Sequence, residues 1–200
     1  MTGEFKRTGE LLVGQIDGKT LALDAHELRA RLGCRPEEIP FLDDCINEVR
    51  AALRCRYAYR FYPVRVSGEA VSLGFAEVTS AGLGRALRDC HSHALMAVTL
   101  GTDVDRLLLR LSHLSKGRFY LCDAVASAFA EAACEEVERR LSAGKRHAAR
   151  FSPGYADLPL TLQSAVLAAL DAERRLGITL SESCLMSPMK SVTAIVGMKE

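Results

Sequence analysis

From Arg118 to Leu141 the chain carries one uninterrupted helical pattern, free of glycine and proline, with Gly144 placed to close it. Within it Leu121, Val125, Ala128 and Ala132 recur at helical spacing and form a stripe of mostly small side chains. A stripe so flat suits close contact with another element. The partners it predicts are Leu107, Leu111 and the apolar run from Leu95 to Leu100.

The remaining patterns come in groups. Leu11 to Leu23 reads as a hairpin turning at Asp17-Gly18. Asp24 caps a helix with Glu27 at the reciprocal position, Leu28 and Leu32 facing inward and Gly33 at the stop. Pro40 opens a second helix whose Leu42, Cys45, Ile46, Val49 and Leu53 keep helical spacing. Tyr57 to Val66 and Ala70 to Phe75 read as strands joined at Ser67-Gly68. A short helix follows around Leu83 and Leu87, then the apolar strand Ala94 to Leu100. Thr102 and Asp105 form a capping pair for a helix with Val104, Leu107, Leu108, Leu111 and Leu114 on one face, ended by Gly117. Beyond the long helix, Leu162 to Leu176 is a helix ended by Gly177, and Ile178 to Leu180 and Val192 to Val196 are strands.

Strands and helices cluster instead of alternating, so the fold class is α+β: an antiparallel sheet flanked by helices. The 200 residues suit a single domain, 1–200, with 1–55 as an N-terminal hairpin and helical part and 56–200 as the core.

Charge narrows the function classes. Lys plus Arg number 26 against 25 Asp plus Glu, so no global field favours nucleic acid or an anionic membrane. No apolar stretch in MTGEFKRTGELL suits a signal peptide, and no later run spans a bilayer. A cytoplasmic protein is expected. The seven cysteines, at 34, 45, 55, 90, 122, 134 and 184, never form CxxC, which points to reduced thiols that serve as small core hydrophobes.

Two constellations resemble sites without being complete. Cys90-His91-Ser92-His93 has no second Cys or His pair at metal-ligand spacing, which favours surface or core histidines. Arg54, Arg56 and Arg60 interleave with Tyr57, Tyr59, Phe61 and Tyr62. Alternation at period two makes these the basic and aromatic faces of a strand.

RFSPGY, Arg150 to Tyr155, carries more chemistry. Arginine offers a planar fork for a carboxylate, which lysine does not match. Pro153-Gly154 lets backbone approach a ligand closely, and Tyr155 offers a flat face with a polar tip. The other reading of these residues is a structural turn with an exposed arginine and a half-buried tyrosine. Cys184, in LSESCLMSP, has no basic neighbour in sequence and reads as a buried, inert thiol.

Four segments together carry a family resemblance: ALMAVTLGTDVDR (Ala94 to Arg106), CDAVASAFAEAACEEVE (Cys122 to Glu138), RFSPGYADLPL (Arg150 to Leu160) and GITLSESCLMSPMKSVTAIVG (Gly177 to Gly197). From about Ala22 to Gly197 the chain resembles the activation (reactivation) domain of cobalamin-dependent methionine synthase, in its stand-alone form. The resemblance implies an α+β fold and binding of S-adenosylmethionine. It also implies a partner, the synthase or another corrinoid protein, that carries cobalamin. A low-potential electron donor and the adenosylmethionine methyl group would then return Co(II) cobalamin to methylcobalamin. Matched to the family pattern R-x-x-x-G-Y, the ligand-binding residues are Arg150, Gly154 and Tyr155. The chain departs from the family at Ser127, where a glutamate is usual, and at GKRHAAR (Gly144 to Arg150), which lacks the usual acidic residues. It also ends at Glu200, before a further tyrosine-bearing strand. Glu131, Asp157 and Glu182 are the carboxylates that would face a cationic ligand instead. The expected function is an activation subunit; the alternative is a non-catalytic cap or chaperone for a corrinoid protein that does not bind S-adenosylmethionine.

Overall fold

Pairing radiates from one apolar strand. In the computed structural model, which describes residues 9–33 and 39–199, β1 (Leu11–Gln15) leads to α1 (Ala25–Leu32) and α2 (Leu42–Ala52). β2 (Arg56–Pro63), β3 (Arg65–Ser67), β4 (Ala70–Ser72), β5 (Glu77–Thr79), α3 (Ala81–Leu87) and β6 (Ser92–Thr99) follow. Then come α4 (Thr102–Leu114), α5 (Lys116–Ser142), α6 (Leu162–Ala169), α7 (Ala172–Leu176), β7 (Thr179–Leu180), β8 (Met186–Ser187) and β9 (Ser191–Met198). The readings of the first eight residues, of Cys34 and of the Glu27 side chain lie outside the described residues.

The main sheet has the order β1-β2-β6-β9 and is antiparallel throughout. β6 is central and buried on both faces, which is why it reads as a continuous apolar run and not as an alternation. Ala94, Met96 and Val98 face a core shared with α1, α2, α4 and α5, and Leu95 and Ala97 face a second core with α3, α6, α7 and the small β3-β4-β5 sheet. The class is the α+β arrangement expected. No helix among the described residues is long and apolar enough to cross a membrane.

The long helix is the spine of the first core. Val125 and Ala128 of the expected stripe are buried, while Leu121 and Ala132 lie at its margin. The buried face turns instead through Cys122, Ala126, Phe129, Ala133 and Val137.

Several boundaries differ from expectation for identifiable reasons. The run after Asp17 does not return as a hairpin strand, and β1 pairs with β2 alone. Asp17 holds a local turn by accepting from Lys19 N, and Arg50 Nη1 donates to the carbonyls of Gly18 and Leu21, which removes them from any ladder. The helix expected over Leu162 to Leu176 breaks at Asp171, in left-handed conformation at φ 50°. α4 begins after Gly101 and not at a Thr102 cap; Asp105 instead accepts the amide of Met189. Gly117 lies inside α5, whose start is set by the Ser115 cap.

Candidate functional site

After α5, the chain runs beside β9, with Ala148 N donating to Gly197 O at 2.8 Å and Phe151 exchanging both bonds with Ile195. Extended backbone sends neighbouring side chains to opposite faces. Arg150 therefore turns to α5, and Phe151 turns away into the second core.

Two glutamates of α5 meet Arg150. Its Nη2 donates to Glu131 Oε2 at 2.7 Å, and its Nε stands 2.6 Å from Glu138 Oε1, an ion pair outside hydrogen-bond alignment. The glutamates sit seven residues apart, two helical turns, on one face of α5. Burial pushes the Glu138 carboxyl up, against the opposing pull of Arg150 and His147. Burial likewise pushes the neighbouring Cys134 thiol up to about 12, with Arg150 opposing. Glu131 is the more open of the two and also lies 3.7 Å from Arg31 Nη2 of α1.

The turn that follows is built as the sequence suggested. Gly154 sits at φ 85°, its amide donating to Leu158 O, and Tyr155 N donates to Ser152 O. Tyr155 is 64% exposed and meets the Phe151 ring edge-on at 5.2 Å. Asp157 is committed elsewhere. It accepts from Ser80 Oγ and from the amides of Ala81 and Gly82, and the Ser80 hydroxyl and those amides hold it below the ordinary carboxylate range.

The second segment folds as the β7–β8 hairpin. Glu182 is exposed at its tip, and Cys184 is half-buried at φ 60°. Leu185 and Met189 are exposed apolar side chains of this segment, as Tyr155 and Leu160 are of the first. A cavity of about 340 Å³ reaches the hairpin through Ile178, Thr179 and Leu180, and its lining holds no residue of the Arg150 to Tyr155 loop.

Three contacts at this end of the molecule escaped sequence reasoning. Lys190 Nζ lies 2.7 Å from Asp123 Oδ1 and donates to Ser127 Oγ at 2.9 Å, tying the turn before β9 to the long helix. Asp105 receives the amide of the preceding residue, Met189. Buried Gln163 joins α6 to Thr193 of β9. Each pair spans dozens of residues, and no local pattern encodes it.

The other candidates serve the fold. His93 is fully buried, its Nε2 2.9 Å from Leu73 O, with the Tyr62 and Phe75 rings beside it. Among the described residues no cluster of His, Cys, Asp and Glu is arranged to hold a metal. Tyr57, Tyr59 and Phe61 line one face of β2 against the first core, whereas Tyr62, expected with them, falls on the other face beside Phe75 and His93, because period two separates residues 61 and 62.

Residues 91–200 match the model of a family described as vitamin B12 dependent methionine synthase, activation domain. No curated protein matches the chain. Among solved structures, a crystal structure of the MetH reactivation domain bound to AdoHcy superposes with a TM-score of 0.72. It shares 16% identity over 96% of this chain and 79% of that one.

Proposed function

The chain belongs to the family of vitamin B12 dependent methionine synthase activation domains, and we propose that it positions S-adenosylmethionine for reductive methylation of Co(II) cobalamin. The cobalamin would be held by a partner, the synthase or another corrinoid protein, on which the chain acts as an activation subunit. When bound, adenosylmethionine supplies the methyl group, and a low-potential donor supplies the electron.

The observation that carries this reading is the split geometry of the Arg150 to Tyr155 loop. One guanidinium is fixed on the α5 side, while a left-handed glycine holds an exposed tyrosine on the other. Arg150 is the anchor for the ligand carboxylate. Gly154 leaves backbone open to close approach. Tyr155 offers its face to adenine or to the corrin edge. Glu182, exposed at the tip of the β7–β8 hairpin, is the carboxylate available to the ammonium and sulfonium, while Glu131 is engaged by Arg150. A ligand oriented this way gains rate from position, since the protein adds no reacting group of its own.

The cap that binds no adenosylmethionine is favoured by two contacts. Arg150 already carries two carboxylates, and Lys190 brings a cation to Ser127, where the family resemblance puts an acid. One experiment separates the readings. Protein, cobalamin-loaded synthase core, reductant and adenosylmethionine are combined and the corrinoid spectrum followed. Conversion of Co(II) to methylcobalamin supports the activator. Complex formation without an adenosylmethionine-dependent change supports the cap, and failure to bind any corrinoid protein removes both.

A further inference from the structure

Glu131 and Glu138 hold Arg150 on unequal terms. The Glu138 side chain is 14% exposed and has His147 at 4.0 Å, so it is a fixed counterion deep in the fold. Glu131 is 34% exposed, reaches Arg150 at 2.7 Å through Oε2 and has Arg31 at 3.7 Å from Oε1. One carboxylate thus stands between two guanidinium groups, tight on one and loose on the other.

We infer that Glu131 is a tethered competitor for the anionic group of the ligand, released to Arg31 of α1 when that group reaches Arg150. The inference rests on the reading that Arg150 receives a ligand carboxylate. A third carboxylate arriving at a guanidinium that already has two is repelled by both. Moving Glu131 onto Arg31 relieves the repulsion and leaves every charge paired. The move is short because α1 packs directly on α5. Neutralising Glu131 therefore strengthens ligand binding, whereas a carboxylate that paired with the ligand's own cation would weaken binding when lost. Removing Arg31 deprives Glu131 of its second partner and keeps it on Arg150.

The test is calorimetric titration with S-adenosylhomocysteine, which keeps the carboxylate and lacks the sulfonium. Wild type, Glu131→Gln, Arg31→Gln and the double variant are compared, with far-UV circular dichroism to verify folding. Glu131→Gln should bind about 10-fold tighter and Arg31→Gln several-fold weaker, and Arg31→Gln should lose its effect when combined with Glu131→Gln. Binding by Glu131→Gln alone, with wild type silent, also supports the competitor. Wild-type binding that Glu131→Gln leaves unchanged or weakens overturns it and leaves the ligand site standing. No binding by wild type or Glu131→Gln overturns both. Should Glu131→Gln not fold, the weakening by Arg31→Gln decides, and unchanged affinity there overturns the competitor.

Discussion

The Lys190 ammonium stands 2.7 Å from the Asp123 carboxylate and, with its bond to Ser127 Oγ, joins the turn before β9 to the long helix. Lys190 is only 15% exposed on its side chain while Asp123 is 39% exposed, so solvent screens one partner more than the other. The pair pins the segment that leads from the β7–β8 hairpin into the central sheet.

Replacing Lys190 with Met should lower stability by about 1 kcal/mol, the scale of a half-screened charged hydrogen bond. Urea unfolding measures it. A midpoint equal to wild type would show that the turn is held by Asp105 and the β9 ladder alone.

Ala128→Leu should destabilise by roughly 1–3 kcal/mol, because added methylenes have nowhere to go in a packed core. Ala128 is 2% exposed between α5 and the first core. Thermal unfolding is the readout, and a neutral shift would mean that the helix packs with more slack than its burial implies.

Gly154→Ala should cost about 1–2 kcal/mol, the penalty for placing an L side chain in left-handed backbone. The new Cβ would also stand 3.1 Å from Leu160 Cδ1, a flexible end that moves aside at little cost. Loss of stability without loss of helicity is expected; no loss at all would place the turn's conformation outside what glycine alone permits.

Acid should expose His93. Burial holds its imidazole below the ordinary value of 6.5, with the Leu73 carbonyl pulling the other way. A histidine with a depressed folded pKa favours the fold while neutral. Its contribution is complete above 6.5 and lost as pH falls through that value toward the folded pKa, since the unfolded chain takes up the proton first. Stability measured from pH 7.5 to 5 should therefore decline, and His93→Phe should flatten the decline. An identical slope in both proteins would assign the proton uptake to another group.

Local chemistry alone determined much of this protein. The apolar run that became β6, the stripe that became α4, the uninterrupted span that became α5 and the glycine turn at Gly154 are each set by neighbours within a few residues. Periodicity and backbone freedom act at that range. The grouping of strands and helices was enough for the α+β class, and the R-x-x-x-G-Y and LSESCLMSP segments were enough for the family. What the tertiary structure decided is how charges and carbonyls far apart in sequence are spent. Arg50 takes the carbonyls of Gly18 and Leu21 and cancels a hairpin that the Asp17-Gly18 turn favoured. Asp157 goes to the start of α3, Lys190 to Asp123, and Arg150 to both Glu131 and Glu138. Each is a choice among partners equally available to an extended chain, made only when folding brings one of them within 3 Å and removes water from the rest.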